Sequence, residues 1–101
     1  MRRDNLLNQF VIVGRLVEDP KTEEKDKGVI ITLAIPRIYK NKDGEYDTDF
    51  ISCILWNSIA ENTSEYCKKG DLLGVKGRLA SKENRIEAIA EKITFLSNTK
   101  E

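Results

Sequence analysis

From Asn8 to Val17 the chain alternates: Val11, Val13, Arg15 and Val17 fall on one side, and Phe10, Ile12, Gly14 and Leu16 on the other. A two-residue period with apolar residues on both sides is the pattern of a strand with at least one well-buried face, and Pro20, after Asp19, ends it. The run "TEEKDK" at 22–27 is too charged to pack and predicts a turn closed by Gly28. Residues 29–35, "VIITLAI", are apolar and rich in β-branched side chains, and predict a second strand. Asp43-Gly44, inside "YKNKDGEYDTD", is a hairpin signal and predicts a long polar tip carrying Tyr46. A third strand follows over 50–56, with Ile51, Cys53 and Leu55 on one face and Phe50, Ser52, Ile54 and Trp56 on the other.

After Trp56 the period lengthens. Ile59, Thr63 and either Tyr66 or Cys67 recur at helical spacing, which predicts a helix of about ten residues with Asn57 or Ser58 as N-cap. Lys68, Lys69 and Gly70 supply cations for its last turn and a glycine for the position just past its end. A fourth strand is predicted over 72–80, then a tight turn at 81–84. The last segment, "RIEAIAEKITFL" at 85–96, has enough Ala and Glu for a helix. Ile86, Ala88 and Ala90 nevertheless alternate with Glu87, Ile89 and Glu91, and Ile93-Thr94-Phe95 favours an extended chain, so we read a fifth strand.

"VIVGRLV" at 11–17 is echoed by "GVKGRLA" at 74–80. Nothing around the two stretches repeats, and neither has the glycine-rich spacing before a helix that cradles phosphate. A glycine inside a strand marks a bend or a close backbone approach, so Gly14 and Gly77 are read as closure points of a small sheet. By alternation Arg15 and Arg78 point outward, and Leu16 and Leu79 inward. The order strand, strand, strand, helix, strand, strand is that of the OB-fold. This is an all-β class with one short helix, a five-stranded, partly open Greek-key barrel with its helix between strands three and four. The domain is expected over 8–96, with an N-terminal extension at 1–7 and a short tail at 97–101.

The 101 residues suit a single core, and 40% hydrophobic with 34% charged residues is a globular composition. No apolar run approaches a membrane span, and no membrane partner is expected. The 17 basic and 17 acidic side chains cancel, so affinity for a polyanion must come from where charges sit. With no histidine and only Cys53 and Cys67, a zinc cluster has no ligand set, and no nucleophile has an evident base partner. No metal, cofactor or enzymatic activity is expected. Cys53 alternates into the apolar face of its strand, Cys67 falls in the helical segment, and a disulfide is disfavoured in what reads as a cytoplasmic chain.

Several stretches carry a resemblance in register: "NQFVIVGRLVEDP" at 8–20, "ITLAI" at 31–35 and "DFISCILWNSIAENTSEYCKKGDLLGVKGRL" at 49–79. Together they resemble the bacterial and phage single-stranded DNA-binding protein family. Asn8, Ile12, Gly14, Leu16, Asp19 and Pro20 match its opening motif. Ala60-Glu61, Tyr66, Lys69-Gly70, Val75 and Gly77-Arg78-Leu79 match its helix, turn and fourth strand. The resemblance implies an OB-fold that coats single strands in replication, recombination or repair, as a homotetramer built from dimers. It also implies that the family's stacking aromatics fall on Tyr39, Phe50 and Trp56.

Stacking on aromatics with cations along the phosphates is how such proteins bind without reading sequence. Phe50 and Trp56 lie in phase on one strand face, opposite an apolar set that already fills a core, so stacking is favoured over burial. Tyr39, flanked by Arg37 and Lys40, fits stacking or plain exposure equally well. Phe10, Tyr66 and Phe95 are assigned to the core. The candidate phosphate contacts are Arg15, Arg37, Lys40, Lys42, Lys69, Lys76, Arg78, Lys82 and Arg85, diluted by Asp43, Glu45, Asp47 and Asp49 in the hairpin.

Three departures from the family pattern bear on assembly. "ASKENR" at 80–85 replaces a long hairpin that carries a further aromatic, which brings a homodimer and a smaller footprint into play beside the tetramer. The chain ends at "SNTKE", without the family's acidic C-terminal tip for recruiting replication or repair enzymes, as in a phage, plasmid or mobile-element variant or a fragment. Ile51 stands where a polar or basic residue is usual, which would make that surface drier or oligomeric. The rival readings are a dimeric primosomal-type OB adaptor that binds single strands weakly and bridges replication proteins, and an OB domain for structured RNA or sugar.

Overall fold

A computed structural model describes residues 6–23 and 28–97. Most of the charged run at 22–27, and most of the expected terminal extension and tail, lie outside the described residues. Among the described residues six strands and one helix follow in order: β1 (Phe10–Leu16), β2 (Lys21–Glu23), β3 (Gly28–Lys40), β4 (Tyr46–Leu55), α1 (Asn57–Tyr66), β5 (Leu72–Lys82) and β6 (Arg85–Ser97). The pairing runs β1-β5-β6-β4-β3, and β1 also pairs with β3, so five strands close on themselves. Only the β4–β6 contact is parallel. The expected OB-fold barrel is present, with α1 between its third and fourth strands. β2, a three-residue edge on β3, is a strand the charge pattern concealed.

The inward faces follow the alternation. Leu16, Val29, Ile31, Leu33, Cys53, Leu55, Leu73, Val75 and Ala90 fill the barrel, and α1 plugs one end with Ala60, Thr63 and, just beyond it, Cys67. Phe10 packs against this core, as expected. Ile51 pairs with Leu33 and is half-buried on the same side of the sheet, opposite to the face that carries Phe50.

Closure is decided by two glycines. At Gly14 a Cβ would stand 2.7 Å from the Ala34 carbonyl oxygen, where β1 comes to pair with β3 as well as β5. At Gly77, beside a register shift between β5 and β6, a Cβ would overlap the Ile89 carbonyl oxygen and stand 3.0 Å from Ala90 Cα. The motif polar residues tie the ends. Asn8 donates its amide to the Leu79 carbonyl and accepts from the Leu79 N–H, both at 2.8 Å, continuing the β1–β5 ladder past Phe10. Asp19 accepts from the Lys69 N–H at 2.7 Å.

Several expectations are corrected. Leu79 is 43% exposed, because β1 begins at Phe10 and the side of Leu79 away from β6 meets Leu7, Asn8 and Gln9 at a surface cleft. Tyr66 and Phe95 are 69% and 50% exposed, because the helix buries the smaller Ala60, Thr63 and Cys67 and leaves both rings on the rim of a surface cleft. The helix N-cap is Trp56, without a side-chain cap, since Asn57 already occupies the helix at φ +57°. The helix ends at Tyr66 with Cys67 as C-cap and no basic residue in its last turn; Gly70, at φ +93°, serves the turn into β5 and donates its N–H to the Leu16 carbonyl.

Both hairpins are longer and tighter than the polar composition suggested. β3 and β4 run to Lys40 and Tyr46, leaving a tip held by Asn41, whose side-chain oxygen accepts from the N–H groups of Asp43 and Glu45. Tyr46 is thus the first residue of a strand, paired with Lys40, and not part of a loose tip. β5 and β6 meet at Glu83-Asn84, both at positive φ, as a two-residue turn requires.

Gly77→Ala should lower unfolding stability by more than about 2 kcal/mol in urea titration, since the new methyl meets backbone and not a movable side chain. Gly74→Ala in the same strand should be tolerated within about 1 kcal/mol, because its Cβ would sit at ordinary contact distances of 3.7–3.8 Å. Burial pushes the Cys53 thiol up to about 11 and raises Cys67 as well. Neither free thiol should react with a disulfide reagent at neutral pH until the chain is denatured.

Candidate nucleic-acid interface

Residues paired across adjacent strands point to the same side of a sheet, so the register assigns the outer surface row by row. One row is Arg15 on β1, Ala34 on β3 and Phe50 on β4. The next along β4 is Thr32 with Ser52, whose hydroxyls bond at 2.8 Å. A third runs Ile30, Ile54, Ile89 and Arg78 across four strands. Trp56, just past β4, keeps an extended backbone (φ −127°, ψ 157°) and so stays in phase with Phe50.

Phe50 is 66% exposed and Trp56 half-buried, the Cε3 and Cζ3 atoms of its indole lying beside Gly28. Between them the surface is Ser52 and Ile54, about 20 Å of strand in all. The start of β6 forms a wall beside this stretch. Arg85, Ile86, Glu87 and Ala88 face Ile30, Ser52 and Ile54 across a groove of about 300 Å³. The exposed Ile86 and the inner wall it forms were not legible in the sequence, where Ile86 alternates with the core residues Ala88 and Ala90.

The candidate cations divide by position. Arg15 borders the Phe50 row, two strand spacings or about 10 Å away, and donates to the Gly70 carbonyl at 3.0 Å. Arg78 and Arg85 stand on the opposite border, with Lys82 paired in register to Arg85 at the hairpin end. Tyr39, Lys40 and Lys42 are exposed on the β3–β4 arm, past a register shift between Pro36 and Lys40, and Lys40 Nζ lies 5.9 Å from the centre of the Tyr46 ring. The structure does not bring Lys69 or Lys76 to the aromatic face. Lys69 is in the turn anchored to Asp19, and Lys76 lies across from Val11 and Lys92 on the side formed by β1, β5 and β6.

Arg37 is engaged within the arm. Its guanidinium holds Asp49 through contacts of 2.8 and 3.2 Å and stands 3.9 Å from Asp47. Asn41 in turn donates to Asp47 at 3.0 Å. The hairpin acids that dilute the field in the sequence are therefore partly answered by a cation of their own. The same bond holds the Asp49 carboxyl below its usual range and raises the guanidinium further above its own. Asp49 is depressed in the folded state, so its contribution is complete above the ordinary value of 3.8 and is lost as pH falls through the lower folded value. In Arg37→Ala, an NMR titration should find the Asp49 carboxyl back near 3.8, with the arm's amide exchange faster at neutral pH.

Among the described residues no helix is long and apolar enough to cross a membrane. The model of the "Single-strand binding protein family" matches residues 7–95. The chain is 38% identical to "Single-stranded DNA-binding protein B" of Bacillus subtilis (strain 168), over 90% of this chain and 91% of that protein. It is 41% identical to "Single-stranded DNA-binding protein" of Halalkalibacterium halodurans over 90% of this chain, and 40% identical to "Single-stranded DNA-binding protein A" of Bacillus subtilis over the same share. It spans only 61% and 60% of those two longer relatives. A closed OB barrel with an aromatic outer face, matched along nearly its whole length by that model, places the chain in the single-strand binding protein family.

Proposed function

We propose that this protein binds single-stranded DNA without sequence preference, stacking bases on the outer face of β4 and holding phosphates at the cations on its borders. The observation that carries this is the phase of Phe50 and Trp56: Phe50 stands outward on β4, Trp56 follows in phase just past its end, and the inward side of that strand is already core. Every base has a π-face, so such a surface accepts any sequence. Arg15 on one side and Arg78 and Arg85 on the other supply the charge. Tyr39, Lys40, Lys42 and Lys82 extend the path along the two hairpin arms, Lys69 and Lys76 lie off it, and Arg37 stiffens the arm through Asp49.

The relatives' names support the same reading, and all those cited are bacterial. Residues 8–96 act as one binding domain that protects single strands in replication, recombination or repair, in a bacterial cytoplasm, whether the gene is chromosomal or carried by a phage or mobile element. Self-association as a homodimer or homotetramer belongs to this proposal. Val11, Val13 and Leu96 leave an apolar strip exposed on β1, β5 and β6, with Gly74 flat between them. The bridging-adaptor reading gains nothing from relatives named for single-strand binding.

Oligo(dT) added at low salt should quench the sole tryptophan, and affinity should fall steeply between about 50 and 200 mM salt as counterions are released. No quenching and no binding at low salt would sink the proposal. Phe50→Ala should weaken binding by about 1–3 kcal/mol with thermal stability little changed, because the ring is exposed. Light scattering of the free protein should report a mass above that of one chain.

A further inference from the structure

Trp56 is bracketed by two backbone features that neither the core nor the helix explains. The first is Gly28, the opening residue of β3. Val29 pairs with Leu55, so Gly28 lies opposite Trp56. A Cβ built there would stand 3.0 Å from indole Cζ3, 3.2 Å from Cε3 and 3.2 Å from the Leu55 carbonyl oxygen. Among the described glycines only Gly44 and Gly70 have positive φ, so Gly28 is not demanded by its own torsion angles. What it provides is space, and the ring occupies that space.

The second is Asn57 at φ +57°, a left-handed residue placed directly between Trp56 and the rest of α1. It turns the chain sharply where the strand ends, so the indole stays over β3 as the backbone leaves. The ring's other surroundings form a recess of about 440 Å³ bordered by Thr22, Val29, Ala60, Glu61 and Ser64. The Cε3 and Cζ3 atoms of the indole therefore lie beside bare backbone, and the ring also borders open space.

We propose that Gly28 is a positioning residue for nucleic-acid binding: by lacking a side chain it forms the seat on which the Trp56 ring lies, and so sets the angle at which that ring meets a base. This rests on the reading of Trp56 as a stacking surface. A methyl at Gly28 would lift the ring by a few tenths of an ångström or tilt it, without removing any aromatic or cationic group. Stacking depends on offset and tilt, whereas the phosphate contacts do not pass through this residue.

The test measures binding of a labelled oligo(dT) by anisotropy for the wild type, Gly28→Ala, Trp56→Phe and the double variant, each over a range of salt, with thermal unfolding alongside. Gly28→Ala should weaken binding about fivefold or more, the low end of one stacked base. The slope of log affinity against log salt should not change, since no cation has moved. Free Gly28→Ala should show a shifted tryptophan emission, and the loss should shrink in the Trp56→Phe background. Unchanged binding in Gly28→Ala, or an equal loss in both backgrounds, overturns the proposal. Should Gly28→Ala fail to fold, a folded double variant identifies the indole as what the methyl strikes, and failure of both overturns it. A wild type that does not bind at low salt removes the stacking reading itself and this proposal with it. A wild type that binds, matched by Gly28→Ala, removes only the proposal.

Discussion

Five strands close into so small a barrel only where two backbones can meet with nothing between them. Gly14 and Gly77 are those places, one where β1 reaches β3, the other where β5 shears past β6. Once the ends meet there, each strand has an inside and an outside that cannot be exchanged, because a slip of one residue would send every leucine outward. Leu33, Leu55 and Leu73 are fully buried for that reason, and the rows that carry Phe50, Ile54 and Arg78 are turned to solvent for the same reason. The outer aromatic face is the remainder left when the core has been satisfied.

Electrostatics works on a smaller scale than net charge. Equal numbers of acids and bases leave no field to draw a polyanion from a distance. The arrangement sorts them: Arg37 is absorbed by Asp49 and Asp47 within one arm, and Arg15, Arg78 and Arg85 border the aromatic rows. The surface ion pair contributes little to global stability, being exposed. It ties β3 to β4 across the arm, next to the register shift between Pro36 and Lys40.

Much of this was legible residue by residue. The alternation around Val13 and Cys53 places both strands and their faces, and the mid-strand glycines mark closure. The last segment was rightly extended despite its Ala and Glu, because its two-residue period outweighed its helix formers. Failures came where a residue's fate depended on something distant. Leu79 keeps inward parity but lies beyond the start of β1. Tyr66 loses its place to Cys67, which reaches the barrel one residue later. Asn57 looked like a cap and is instead the left-handed joint that turns the chain into the helix.

The sequence by itself determined the alternation of the strands, the single helix, the two closing glycines and the outward phase of Phe50 and Trp56, because all of these follow from local period and the size of one side chain. Only the tertiary structure decided which outward residues became neighbours: Arg15 beside Phe50, Arg37 on Asp49, Ile86 across from Ile54, Gly28 beneath Trp56. Those adjacencies depend on strand register, on the bulge past Pro36 and on where each strand stops. Register is settled by closure between residues far apart in the chain, and no local pattern encodes it.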